Sequence, residues 1–122
     1  LAHFGCSATD LVFIATAFLS GEDRRAHWEK LLEDFYGYLE EEIGNRKMPY
    51  TLEQLKEAYR QFFPTGAFIF IPFLEPLFEV INRDPDEEHR KQGLEMTLVK
   101  IESMLEDIFD YHDRNMKIRK GK

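Results

Sequence analysis

Cys6 and His3 are the residues whose types most directly suggest chemistry, and they lie three apart. Both can ligate zinc, but a structural zinc site takes four ligands, with a second close pair. The sequence has no second pair: His27, His89 and His112 fall on separate segments. Cys6 as a nucleophile needs a base, and three residues of loop between it and His3 fix no geometry. A small, inert thiol is the commoner fate of such a cysteine. Two acidic clusters, Glu40-Glu41-Glu42 and Asp84, Asp86, Glu87, Glu88, invite a calcium reading. A calcium loop alternates its acids around a bend glycine and closes on a Glu, and neither cluster does so. They read instead as a solvated helix face and a helix N-terminus. The phosphate-cradling patterns G-x-x-x-x-G-K-[ST] and G-x-G-x-x-G are absent, as is a G-x-S-x-G elbow. The sequence therefore nominates no catalytic residue, no cofactor-binding residue and no metal ligand.

The elements that would position any such residue are helical. Leu11, Val12, Ile14, Ala15, Phe18 and Leu19 have helical spacing, and Asp10, or Thr9 before it, is placed to cap the first turn. Ser20 caps a second helix, with Glu22 and Asp23 at the positive end of its dipole. Its apolar stripe is Trp28, Leu31, Leu32, Phe35, Leu39 and Ile43, and Gly44-Asn45 ends it. Thr51 and Gln54 form a capping box for a third helix, which Pro64-Thr65-Gly66 is expected to punctuate. Residues 67–81 are apolar on nearly all sides and read as a buried core helix, kinked or broken by Pro72 and Pro76. Phe68-Ile69-Phe70-Ile71 has strand propensity, but no partner strand is visible, so helix is the expectation. A turn at Asn82-Arg83-Asp84-Pro85 precedes the longest helix. Its seam is Leu94, Leu98, Ile101, Leu105, Ile108 and His112, in steps of four and three.

Composition sets limits on class. At 122 residues the chain is at most one domain, and 43% hydrophobic with 32% charged residues supports a core. One cysteine excludes an internal disulfide and fits a reducing compartment. A net charge of −7 disfavours bulk attraction to nucleic acid or anionic membrane. The run 67–81 is too short and too interrupted for a membrane span, holding Glu75, Glu79 and two prolines. The basic tail from Arg114 to Lys122 reads as a frayed, solvated end. No basic stretch leads an apolar one at the N-terminus, so no secretory signal is visible, and the expected location is cytoplasmic. A start at Leu1 instead of Met points to a piece of a longer protein.

One resemblance goes further. Leu1-Ala2-His3-Phe4-Gly5-Cys6-Ser7-Ala8-Thr9-Asp10-Leu11-Val12 is similar to the segment just after the metal-binding Asp motif of CHK kinase-like proteins. These small-molecule kinases are related to choline, aminoglycoside and ecdysteroid kinases. Leu19-Ser20-Gly21-Glu22-Asp23-Arg24-Arg25, the text from Trp28 to Tyr36 and the text from Pro49 to Leu55 resemble the C-terminal part of the large nematode branch of that group, a domain of unassigned function. Phe13 stands where a basic residue is the pattern, and Thr9 where an acid is common.

The resemblance implies a protein-kinase-like parent. Its ATP-binding lobe, catalytic Asp, metal-binding Asn and Mg²⁺-binding Asp would all precede Leu1. Residues 1–122 would be the C-terminal helical subdomain of the C-lobe: all-α, four to five helices, beside the acceptor site. Asp10 alone carries over as a motif residue, with a structural role in bracing the catalytic loop. The expected partners are the rest of the kinase-like domain and a small-molecule acceptor, with no nucleic acid and no membrane span. ATP and Mg²⁺ belong to the intact parent, and this chain alone would be non-catalytic. The alternatives are a free-standing helical interaction module, with residues 67–81 as its adhesive surface, and a pseudokinase segment.

Overall fold

Helix ends fall where side chains satisfy the first free N–H groups. The structure, a computed structural model, describes the backbone of residues 2–121 and the side chains of residues 7–121. Among these residues it contains α1 (Ala2–Phe18), α2 (Gly21–Ile43), α3 (Leu52–Phe70), a 3₁₀ turn (Ile71–Leu74), α4 (Glu75–Asn82) and α5 (Glu87–Lys120), and no strand. The fold is all-α, as the sequence predicts. The Ser20 hydroxyl accepts the Asp23 N–H at 3.1 Å. Thr51 Oγ1 accepts the Gln54 N–H at 3.1 Å, and the Gln54 side chain accepts the Thr51 N–H at 2.8 Å, completing the capping box. Asp86 caps α5 by accepting from Glu88 and His89. Gly44 ends α2 at φ 65°, a backbone conformation open to glycine and costly to other residues.

Three expectations are corrected. Asp10 is not a cap: α1 begins at Ala2, and Asp10 is exposed in its interior. No proline interrupts residues 2–9, and Gly5 alone does not stop the helix from propagating backwards past Asp10.

Pro64 is not a break either, since α3 runs through it to Phe70. A proline inside a helix has no N–H for the carbonyl four residues back, here that of Arg60. The buried Asn115 side chain of α5 supplies the missing donor, Nδ2 to the Arg60 carbonyl at 3.0 Å. Pro72 and Pro76 do end the regular helix. Each sits in the first turn of a new short element, where the absent N–H costs little. The strand-like residues 68–70 lie in α3.

The third correction concerns α5. Its buried residues are Thr97, Met104, Asp107, Ile108 and Asn115, whereas Leu98 and Leu105 of the expected seam are exposed. Asp107 and Asn115 take the inner face because partners on α2 and α3 satisfy them, and Thr97 donates to the Gly93 carbonyl of α5 itself.

α3 is the central helix, with α1 and α5 packed along it and α2 laid across all three. The core joins Leu11, Val12 and Ala15 of α1 to Leu32 of α2, Leu55, Tyr59, Phe63 and Ala67 of α3 and Met104 of α5. α1 and α3 meet at Gly66, where an added Cβ would lie 2.7 Å from Val12 Cγ1. Trp28 of α2 stacks on Tyr59, with ring centroids 4.8 Å apart and planes within 7°.

Candidate functional site

Two regions stand apart from an ordinary helical core: a buried charge cluster and an uncovered apolar face.

The cluster begins with Arg24. It lies four residues before Trp28, on the stripe α2 turns inward, and only 1% of it is exposed. Its Nη2 donates to Asp107 Oδ2 at 2.8 Å, and its guanidinium lies 5.5 Å from the Phe63 ring centroid. Arg25 Nε donates to Asp107 Oδ1 at 2.9 Å, and this bond pushes the Arg25 pKa up. Asp107 thus has two arginine partners, while Arg24 leaves Nε and Nη1 without a hydrogen bond. The Tyr59 hydroxyl is also buried and unbonded, and burial drives its pKa strongly upward. Burial raises Tyr111 to about 12, with help from the negative charge of Asp107. Burial and the Arg24 charge lower Lys100, whose Nζ donates to the Leu19 carbonyl at 2.8 Å. Arg24, Arg25 and Asp107 tie α2 to α5, and Lys100 ties α5 to the connection between α1 and α2. No arrangement of nucleophile and base emerges from the cluster.

Sequence reasoning missed this cluster because it stopped the α2 stripe at Trp28. The available signal was helical spacing: Arg24 falls one turn before Trp28 on the same line. Nothing in the sequence pointed to Asp107, which is 83 residues away.

The apolar face is built from α1, the rod that continues from α3 into α4, and α5. Phe18 stands at its centre, 81% exposed. On one side of it lies a groove of about 490 Å³ lined by Phe13, Ile14, Ala17, Ile69, Phe70 and Phe73. On the other lies a groove of about 620 Å³ lined by Leu19, Leu77, Met96, Val99 and, at its polar edge, Glu95 and Lys100. Ile69, Phe73, Leu77 and Val80 follow one another along the rod at steps of four, four and three, and all are exposed. The expectation of a buried helix over residues 67–81 is therefore corrected: only Ala67 and Leu74 of that run are buried. Burial follows the partner surface available, and α1 and α5 cover one side of the rod alone.

Asp10 belongs to the same region. Asp10, Ile14 and Phe18 are four apart and all exposed, so they line one stripe of α1. The carboxylate sits at the head of an apolar stripe that leads into both grooves.

The model of the family described as "Uncharacterized oxidoreductase dhs-27" (DUF1679) matches residues 1–116. The chain belongs to that family. DUF1679 is of nematode type. No curated protein and no solved structure matches the chain. The match spans both the buried cluster and the apolar face, so these are features of a DUF1679 chain over nearly its whole length.

The remaining sequence candidates stay apart. His3 and Cys6 lie outside the described side chains. Glu40, Glu41 and Glu42 are exposed on α2, remote in sequence from the acids that cap α5. Among the described residues no three His, Cys, Asp or Glu side chains gather where a metal ion would sit. The rod Leu52–Asn82 is long and apolar enough to cross a membrane by length and composition, a test that core helices also pass.

Proposed function

We propose that this DUF1679 chain is the C-terminal helical portion of a CHK-like small-molecule kinase domain, seated through its apolar face on the rest of that domain. The intact protein would transfer a phosphoryl group from ATP to a hydroxyl of a small acceptor in the cytoplasm. Such catalysis rests on positioning and electrostatics around phosphates and Mg²⁺. Those groups would come from the preceding part of the domain, and this chain would supply one wall and its support.

The observation that carries the reading is the Phe18-centred face with Asp10 at its head. Monomeric soluble proteins rarely expose contiguous apolar patches above a few hundred Å². Seven large apolar side chains, Ile14, Phe18, Ile69, Phe73, Leu77, Met96 and Val99, are exposed beside the two grooves. At ~1.5–3 kcal/mol for each fully buried large side chain, covering even half of that surface contributes several kcal/mol. Asp10 cannot cap α1 as the structure stands. It retains the outward carboxylate that the resemblance assigns to bracing the catalytic loop, at the border of the surface the loop side would cover.

The family description names an oxidoreductase, and the test should therefore include that chemistry. The intact DUF1679 protein is titrated with ATP and Mg²⁺ and, separately, with reduced nicotinamide dinucleotides by calorimetry. Hydrogen exchange of the peptides holding Phe18 and Phe73 is compared between the intact protein and residues 1–122. The kinase reading expects nucleotide triphosphate binding by the intact protein alone, and strong protection of both peptides there. Dinucleotide binding without ATP binding, or equal exchange in the two proteins, would overturn it.

A further inference from the structure

The two grooves beside Phe18 differ in charge. The groove of about 490 Å³ is lined by apolar residues alone, whereas the groove of about 620 Å³ holds Lys100. Round α5 this lysine lies between the buried Thr97 and the exposed Met96, and it is half-buried. Its Nζ donates to the Leu19 carbonyl at 2.8 Å, and among the described residues no carboxylate pairs with it. Burial, and then the like charge of Arg24, lower its pKa. A neutral carbonyl occupies one of its three N–H donors and leaves the charge unanswered. Next to Leu19, Ser20 also lines the groove. Its hydroxyl oxygen accepts the Asp23 N–H, and its own O–H remains to donate.

The other charges nearby do not answer Lys100. Glu95 lies five residues before it, about 140° round the helix, and is exposed at the outer rim. Glu22 and Arg25 line the adjoining cleft beyond Gly21, with opposite signs. Away from the Lys100 corner the lining is apolar: Phe18, Leu77, Met96 and Val99, all exposed. Small-molecule sites run to ~300–1,000 Å³ and combine such a lining with a few placed polar groups. One ammonium and one hydroxyl match a single negative charge. A phosphate dianion would turn its second charge towards Glu95 or Glu22. A net charge of −7 disfavours an anionic membrane surface.

We propose that this groove binds a free medium-chain carboxylic acid, its carboxylate accepting hydrogen bonds from Lys100 Nζ and Ser20 Oγ and its alkyl chain lying along Leu77, Met96 and Val99 towards Phe18. The site goes beyond the kinase reading and does not rest on it. Under that reading, the rest of the domain closes over the bound acid. Each methylene taken out of water tightens binding about fourfold, and a hydrogen bond between charged groups contributes about tenfold or more.

The test is calorimetric titration of the 122-residue chain with octanoate, decanoate and dodecanoate, below micelle-forming concentrations. Dodecanoate should fill one saturable site with Kd below about 1 mM, and affinity should fall about fourfold for each methylene removed. Lys100→Met should weaken binding at least about tenfold, and Lys100→Arg should hold it within about threefold. Met96→Glu changes an exposed position and sets a negative charge in the groove, and it should weaken binding by about tenfold as well. Phe109→Glu, on the opposite side of α5, should leave binding unchanged. Circular dichroism checks that helicity is the same in every variant. No saturable binding up to about 1 mM overturns the proposal. Equal binding of dodecyltrimethylammonium, or indifference to both Lys100→Met and Met96→Glu, marks unspecific coating of apolar surface and also overturns it. Binding abolished by Phe73→Asp and untouched by Met96→Glu overturns it by placing the acid in the other groove. Co-sedimentation with phosphatidylglycerol vesicles that survives Lys100→Met, without binding of free dodecanoate, assigns the face to a lipid surface and overturns it too. None of these measurements involves a nucleotide, so they fail or succeed separately from the ATP titration of the intact protein.

Discussion

Asn115 should matter more because Pro64 is there. The Arg60 carbonyl has lost its helical donor to the proline ring and takes the Asn115 Nδ2–H at 3.0 Å in its place. Asn115 is 4% exposed, so no water replaces it readily. Asn115→Leu keeps the volume and removes the donor, leaving a buried carbonyl unpaired at a cost of about 1–3 kcal/mol. In a Pro64→Ala background the residue-64 N–H bonds Arg60 in the ordinary pattern, and the same Asn115→Leu change should cost about 1 kcal/mol less. The bond from Arg114 Nη1 to Asn115 Oδ1 is lost in both backgrounds and cancels in the cycle. The assay is urea unfolding of the four proteins, followed by far-ultraviolet circular dichroism, with slopes compared to confirm one transition. Additivity within about 0.5 kcal/mol would refute the reasoning, because it would mean that the carbonyl is satisfied without Asn115.

Three further outcomes follow from the side-chain networks. Asp107→Ala strands the buried Arg24, which has no other acceptor, and should cost about 3–5 kcal/mol; Arg24→Met keeps contact with Phe63 while Asp107 keeps Arg25, and should cost under about 2 kcal/mol. The reverse order in denaturant melts would contradict the assigned partners. Glu57 is held at about 2, below its ordinary 4.5, by its hydrogen bond to Arg114 first and by Gln61 and Arg60, against the opposing effect of burial. Its folded value is the lower one, so its contribution is complete above about pH 4.5 and is lost as pH falls towards 2. Because Glu57 is partly exposed, that contribution is about 0.5–1 kcal/mol, and Glu57→Gln should flatten acid unfolding over this window. Tyr111 has a raised folded value, about 12 against 10.0. Its contribution is complete below about pH 10 and is lost as pH rises towards 12, so Tyr111→Phe should become less alkali-sensitive in thermal melts.

What the sequence disclosed was local. Ser20 with Asp23, Thr51 with Gln54, and Gly44 act within three or four residues, and each sits where the sequence places it. Asp86 belongs to the expected first turn of α5 and proves to be its cap. The misreadings share a different cause. Pro64 reads as a stop until Asn115, 51 positions on, is known to replace the missing donor. The inner face of α5 cannot be chosen from α5 alone, since Asp107 is buried because of Arg24 and Asn115 because of Arg60. Apolar periodicity marks surfaces that want a partner, and it does not say whether the partner is in the same chain.

That distinction bears on the candidate site. The interior holds Arg24, Lys56 and Asp107, while Phe18, Phe68, Phe73 and Phe109 stand more than half exposed. Charges inside carry a desolvation cost that paired geometry has to offset, and here it ties α2 to α5 and Lys56 to Glu29. Phenylalanines outside forfeit burial that each could contribute. An isolated helical chain gains nothing from this inversion. It becomes favourable once the outer phenylalanines are inner ones of a larger assembly. The Phe18 face is broad, grooved and headed by a carboxylate, which suits an irregular intramolecular surface.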